Sequence, residues 1–177
     1  MSKPIMNIDE VALRPWGHGG VPATVAGGSA PPERFAAQLG AIGSAVGARK
    51  LGYGLVVVQP GKRGWPLHNH HANEEMFFII EGSGEVRIGA ARHAIRKGDV
   101  IACPPGGPET AHQIVNTSDA PLTYLAVSTK IVPEVTDYPD SGKFGVLTEL
   151  PGGAGEGVTV SRFIGRMGES AGYWEGE

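Results

Sequence analysis

Residues 68–82 read His68-Asn69-His70-His71-Ala72-Asn73-Glu74-Glu75-Met76-Phe77-Phe78-Ile79-Ile80-Glu81-Gly82, and this stretch decides the fold. His68 and His70 are two positions apart. Side chains alternate across an extended strand, so both imidazoles face one side. Glu75 lies five positions beyond His70, an odd offset that a straight strand would aim at the opposite face. The chain therefore has to reverse between them, and His71-Ala72-Asn73-Glu74 supplies the turn. Glu75 then opens a second strand, apolar from Met76 to Ile80, that runs to Gly82.

Outward from this stretch the chain is a succession of short β-branched and aromatic runs separated by turn residues. Leu51–Gln59 is apolar on both faces and ends at Pro60-Gly61, as a buried central strand would. Downstream, Glu75–Glu81 and Glu85–Ile88 read as a hairpin around Gly82-Ser83-Gly84. A short strand at His93–Arg96 follows, then the turn Lys97-Gly98-Asp99, where Gly supplies positive φ and Asp caps the local backbone. Val100–Cys103 is the next strand, and Pro104–Pro108 has to be a loop. His112–Asn116 and Leu122–Ser128 complete the set on either side of Thr117-Ser118-Asp119-Ala120-Pro121. Several short strands without a long helix predict an all-β, closed or double-sheet antiparallel barrel.

His112 reopens a strand after the Pro/Gly loop and completes a candidate ligand set of His68, His70, Glu75 and His112. Taken alone, His68–His71 would read as a histidine-rich surface turn; Glu75, the glycines and the distant His112 weigh against that. Three imidazoles and one carboxylate suit one divalent transition metal (Fe, Mn, Ni, Co or Zn), and in an octahedral ion they leave two positions open. Phe77 and Ile79 share strand parity with Glu75 and are the expected apolar wall of a substrate pocket. Glu81 shares that parity too, yet at the Gly82 turn solvation is the simpler reading. His71 is expected to point away from His70, His18 and His93 to be structural or solvated, Asn116 to hold the strand after His112, and Cys103 to be a small buried hydrophobe.

These segments resemble the two sequence motifs of the cupin superfamily. The first motif is matched by Gly61, His68-Asn69-His70, Glu75 and Gly82, with six residues rather than five after the leading Gly. The second is matched by Gly98, Pro104-Pro105-Gly106, His112 and Asn116, with five residues, Gly107–Ala111, where two are usual. The resemblance covers about residues 50–128 and implies a double-stranded β-helix, the cupin jelly-roll barrel, with metal on the matching His68, His70, Glu75 and His112. Tyr138-Pro139-Asp140-Ser141-Gly142-Lys143 and Tyr173-Trp174-Glu175-Gly176-Glu177 resemble the tails of a bacterial subset of small single-domain cupins, some labelled sugar-phosphate isomerase.

Around that core, residues 1–48 are expected to form an irregular N-terminal arm and outer strand packing on the barrel. Residues 49–130 form the barrel core, and 131–177 a loosely structured C-terminal extension docking on the barrel or on a dimer partner. At 177 residues and 41% apolar content the chain suits one domain with a real core. A net charge of −3 with scattered Lys and Arg shows no footprint for nucleic acid or anionic membrane. The longest apolar runs fall far short of the roughly 20 residues that span a bilayer. The N-terminus has no apolar stretch of a signal peptide, and the single cysteine agrees with a reducing compartment, so a cytoplasmic location is expected. The expected function is Lewis-acid chemistry on a small oxygenated molecule, of sugar or sugar-phosphate isomerase type. A non-haem dioxygenase and a non-catalytic ligand-binding module are the competing readings. The long arm and aromatic tail point to a homodimer.

Overall fold

The computed structural model describes residues 4–17, 31–151 and 158–177, so the reading of His18 lies outside the described residues. In chain order the strands are β1 (Arg14–Gly17), β2 (Ala36–Ala41), β3 (Leu51–Val58), β4 (Asn69–His70), β5 (Glu75–Glu81), β6 (Ser83–Ile88) and β7 (Ala91–Arg96). They continue as β8 (Val100–Cys103), β9 (His112–Val115), β10 (Leu122–Thr129), β11 (Glu134–Tyr138), β12 (Lys143–Pro151) and β13 (Val158–Gly165). The only helical pieces among the described residues are two single turns, Ile8–Glu10 and Met167–Glu169. No helix among them is long and apolar enough to cross a membrane.

Among the described residues the strands form three antiparallel sheets, in the orders β1-β2-β3-β10-β5-β8, β13-β12-β11-β4 and β7-β6-β9. β3 and β10 pair along their whole length, Leu51 opposite Thr129 and Val58 opposite Leu122. The inward residues Val56, Val58, Ile79, Leu122 and Tyr124 are almost wholly buried and pack with Ile101 of the same sheet and with Val86, Ile95 and Ile114 from the facing strands. Burying each such side chain contributes about 1.5–3 kcal/mol, so this double layer is the main source of stability. The architecture is the expected double-stranded β-helix jelly roll.

Residues 75–88 do not form the expected hairpin. β5 has both edges occupied, by β10 and β8, and β6 pairs instead with β7 and β9. The chain changes sheet at Gly82, whose φ of +85° and tight approach to Pro121 O suit a residue without a side chain. The return crossing, from β7 to β8, is made at Gly98 (φ +93°), with Asp99 Oδ2 accepting from Arg96 N–H at 2.7 Å. A register shift between Thr123 and Tyr124 pairs Thr123 with Glu81 and Tyr124 with Ile79. That bulge turns Glu81 out to solvent despite its nominal parity with Glu75.

The extension from residue 131 is more regular than a loose tail. β11, β12 and β13 form an antiparallel meander, and β11 pairs with β4 through Thr136–His70 and Asp137–Asn69. The Pro/Gly cluster Pro139–Gly142 that read as loosening is the reversal between β11 and β12. Among the N-terminal residues, β1 pairs with β2 at the sheet edge, the position where Pro15 removes no ladder donor, and Trp16 stacks on Trp65 at 5.9 Å.

Candidate metal centre

His68 precedes β4, His70 ends it, Glu75 opens β5 and His112 opens β9, so all four lie at one end of the barrel. Their ligand atoms fall within 4.8 Å of one another. Glu75 Oε2 is the hub, 2.9 Å from His112 Nε2, 3.6 Å from His70 Nε2 and 3.7 Å from His68 Nε2. His70 Nε2 is buried and has no hydrogen-bond partner among the described residues. A buried polar atom left unpaired is costly, and an ion at this point would satisfy it. The cluster is compatible with a single metal ion.

The other ring nitrogens set the tautomers. His68 Nδ1 lies 2.9 Å from Pro66 O and His112 Nδ1 3.2 Å from Thr110 O. A carbonyl oxygen only accepts, so each Nδ1 carries the proton and each Nε2 presents its lone pair to the centre. His70 Nδ1 faces Thr136 Oγ1 at 3.5 Å and Glu134 Oε2 at 3.7 Å. Burial, followed by the charge of His112, holds His68 well down, at about 4. His70 behaves oppositely: burial works against its charge, but Glu75 and Glu134 outweigh burial and raise its pKa. Glu75 is held far below the usual carboxylate range, burial being outweighed by the neighbouring imidazoles.

The reversal from His70 to Glu75 is held from outside the motif. Glu134, 4% exposed, accepts from the backbone N–H groups of His71 (3.0 Å), Ala72 (3.2 Å) and Asn73 (2.8 Å), and from Asn73 Nδ2. Asn73 Oδ1 in turn accepts from Thr129 Oγ1 and Ile131 N–H. One carboxylate thus folds the turn that parity required. His71 points away from the centre, half exposed and 2.7 Å from Asp137 Oδ2.

The long spacer before His112 does not displace it. Gly106 N–H donates to His70 O, and Gly106 O accepts from Asn69 Nδ2, both at 2.8 Å, so the second motif is tied to the first ahead of the extra residues. Gly107–Ala111 closes as a compact turn, Thr110 N–H and Oγ1 both donating to Gly107 O. Asn116, fully buried, donates to Val58 O and Ala120 O at 2.8 Å and accepts from Ser118.

Of the two expected pocket-wall residues, Phe77 lies against the His112 ring at 5.6 Å and against Tyr124 at 5.6 Å. Ile79, two residues deeper, is part of the closed core. A cavity of about 250 Å³ opens beside Glu75 and is lined instead by small inward residues of the large sheet, among them Ala41, Gly52, Gly54, Ala126 and Ser128. Parity identified the inward face; depth along the strand separates core from cavity. His93 is exposed, and Cys103 is buried opposite Glu75, its thiol pushed up to about 12 chiefly by burial. Glu134, Asn73, Thr136 and Tyr138 escaped sequence reading. The alternation Glu134-x-Thr136-x-Tyr138 was the available signal that one strand face presents all three.

Residues 54–128 match the family of cupin domains. An uncharacterised protein of Methanocaldococcus jannaschii is 37% identical over 62 residues, 35% of this chain, which spans about half (47%) of that relative's length. Among solved structures, a sugar phosphate isomerase of the cupin superfamily from Silicibacter pomeroyi aligns at TM-score 0.66 and 25% identity, over 90% of this chain and 92% of that one. A protein from Acidithiobacillus ferrooxidans provisionally named a sugar phosphate isomerase aligns at TM-score 0.74 and 23% identity over 96% of both chains, a likeness of fold. The match over residues 54–128, the jelly-roll topology and the convergence of both motifs on one cluster support a cupin domain there, and over the whole fold the chain resembles a sugar phosphate isomerase of the cupin superfamily.

Proposed function

We propose that the chain is a metal-dependent enzyme that isomerises a small sugar or sugar phosphate. The observation that carries this reading is the placement of the four-residue cluster beside the cavity at Glu75. His68, His70, Glu75 and His112 would hold one divalent ion, which supplies Lewis-acid polarisation of a carbonyl or hydroxyl. The backbone carbonyls of Pro66 and Thr110 keep Nε2 of His68 and His112 ready to ligate. The small residues of the large sheet leave room for a ligand near the lower end of the usual pocket range of about 300–1,000 Å³. The name of the Silicibacter pomeroyi relative supports the substrate class.

The test is metal analysis of protein purified without an affinity tag, then conversion of aldose and ketose phosphates with and without O₂. Stoichiometric metal with O₂-independent interconversion is the expected result. Product formed only with O₂ would replace this reading with oxygenation. Tight ligand binding without turnover would replace it with a binding module.

We further infer a homodimer in the cytoplasm. β13 lies at a sheet edge with Phe163 55% and Ile164 49% exposed, and the backbone pairs beyond Leu147–Arg162 join β12 and β13 alone. A two-stranded ribbon is marginal in water, and a second copy would cover it. Light scattering should return twice the chain mass; a monomer overturns this.

A further inference from the structure

The face of the sheet β13-β12-β11-β4 that carries His70 continues well past the metal cluster. Directly paired residues share a face, and so do alternate residues of one strand. His70 pairs with Thr136, Thr136 with Gly145, and Gly145 with Ile164. On the same face Tyr138 pairs with Lys143, and Leu147 joins Glu134 to Arg162. The metal-facing side of this sheet therefore carries Tyr138, Lys143 and Arg162.

Tyr138 links these cations to the centre. Its ring stands nearly parallel to that of His68, with centroids 6.3 Å apart. A Cβ built on Gly145 would touch Tyr138 Cε2 and Ile164 Cγ1, both at 3.6 Å, so the ring leans across β12 towards β13. Lys143 Nζ sits 5.8 Å from the centroid of the ring. Burial raises the pKa of the Tyr138 hydroxyl, and the charge of Arg162 acts on it in the opposite direction. Among the described residues no carboxylate lies within ion-pairing distance of Lys143 or Arg162. Of the two carboxylates on this face, Glu134 is already held by three backbone N–H groups, and Glu149, paired with Val160 two residues beyond Leu147–Arg162, makes no ion pair with either cation among the described residues. Among the described residues, those lining the cavity beside Glu75, which include Tyr53 and Val127 besides the small residues, offer no cation.

We propose that Tyr138, Lys143 and Arg162 form an anion-binding subsite next to the metal centre that takes the phosphate of a phosphorylated substrate. The proposal rests on the isomerase reading and adds what would recognise the substrate. Arg162 brings a planar fork suited to two phosphate oxygens, Lys143 a mobile point charge, and Tyr138 a hydroxyl donor. Phosphate there would leave the carbon skeleton to reach across the cluster into the apolar cavity.

Inorganic phosphate is the probe. Its affinity is measured by calorimetry on wild type, Lys143→Met, Arg162→Met and the double variant, each metal-free and Mn(II)-loaded, with Mn content and circular dichroism as controls. Phosphorus NMR relaxation on the Mn(II)-loaded forms reports whether phosphate lies near the ion. The expected result is a loss of about tenfold or more for each cation removed, with Mn content and fold unchanged, and Mn(II)-enhanced relaxation in the wild type. Phosphate affinity in the double variant equal to wild type overturns the subsite. Binding abolished by chelation yet untouched by the double variant also overturns it, because phosphate would then sit on the ion itself. A wild type that takes up no metal but loses phosphate binding in the double variant overturns the isomerase reading and keeps the subsite.

Discussion

His68 and His112, one from each cupin motif, exchange a pair of backbone hydrogen bonds: His112 N–H donates to His68 O at 2.8 Å, and His68 N–H to His112 O at 3.2 Å. Their rings lie 4.6 Å apart between centroids. The rung belongs to the backbone and survives loss of either side chain. His112→Ala should therefore keep the fold and lose the ion. Metal affinity is expected to fall by more than the roughly 10- to 100-fold that follows loss of a supporting group. Full metal occupancy in this variant, by elemental analysis, would falsify the four-ligand centre.

Glu134 is the residue whose removal should be felt in both stability and metal affinity. Glu134→Ala leaves the N–H groups of Ala72 and Asn73 without their acceptor, at about 1–3 kcal/mol for each group that stays buried and unpaired, while His71 N–H keeps Val135 O at 2.9 Å. Urea unfolding of the metal-free protein should show the loss, and titration with Mn(II) a roughly 10- to 100-fold weaker site. An unchanged unfolding midpoint would show that the turn holds without it.

Acid should release the ion in two stages of protonation. His70 has its pKa raised above the ordinary 6.5, so a proton competes for it first as pH falls. His68, held at about 4, stays neutral longest. Metal affinity should already be weakening above pH 6.5, measured by dialysis against buffers of graded pH. In the metal-free protein the unfolded chain protonates His68 near 6.5 and the folded chain only near 4. That ligand's contribution to stability is present above 6.5 and is lost as pH falls through 4. Release confined to pH below about 4 would contradict the His70 assignment.

Gly82 is held by geometry at the crossing between sheets. Its φ is +85°, and a Cβ there would sit 2.5 Å from Pro121 O. Gly82→Ala should cost about 1–3 kcal/mol from backbone strain, with a further contribution from the clash. Thermal unfolding measures it, and a wild-type midpoint would mean that the crossing can relax.

Cys103 should be inert. It is 2% exposed, and its thiol is pushed up to about 12 by burial and by the charge of Glu75. A thiol reagent at pH 8 should label it only after denaturation; rapid labelling of the folded protein would show an open route to the centre.

The sequence by itself determined the four-residue His/Glu cluster and the barrel. Strand parity is local: two residues between turns are enough to aim His68 and His70 together, and an odd offset is enough to demand the reversal before Glu75. Gly98 and the turn that Asn116 closes with Ser118 and Ala120 were legible for the same reason, since φ and neighbouring hydrogen bonds depend on a few adjacent residues, whereas the bond from Asn116 to Val58 O was not. Only the tertiary structure decided which strands pair. It replaced the expected hairpin at Gly82 with a change of sheet, because both edges of β5 were taken by residues far along the chain. It brought Glu134 under the turn and Tyr138 beside His68, and it made three strands of a segment that read as loose. Those contacts join parts of the chain more than 60 positions apart. Period and propensity along one segment carry no record of its distant partner.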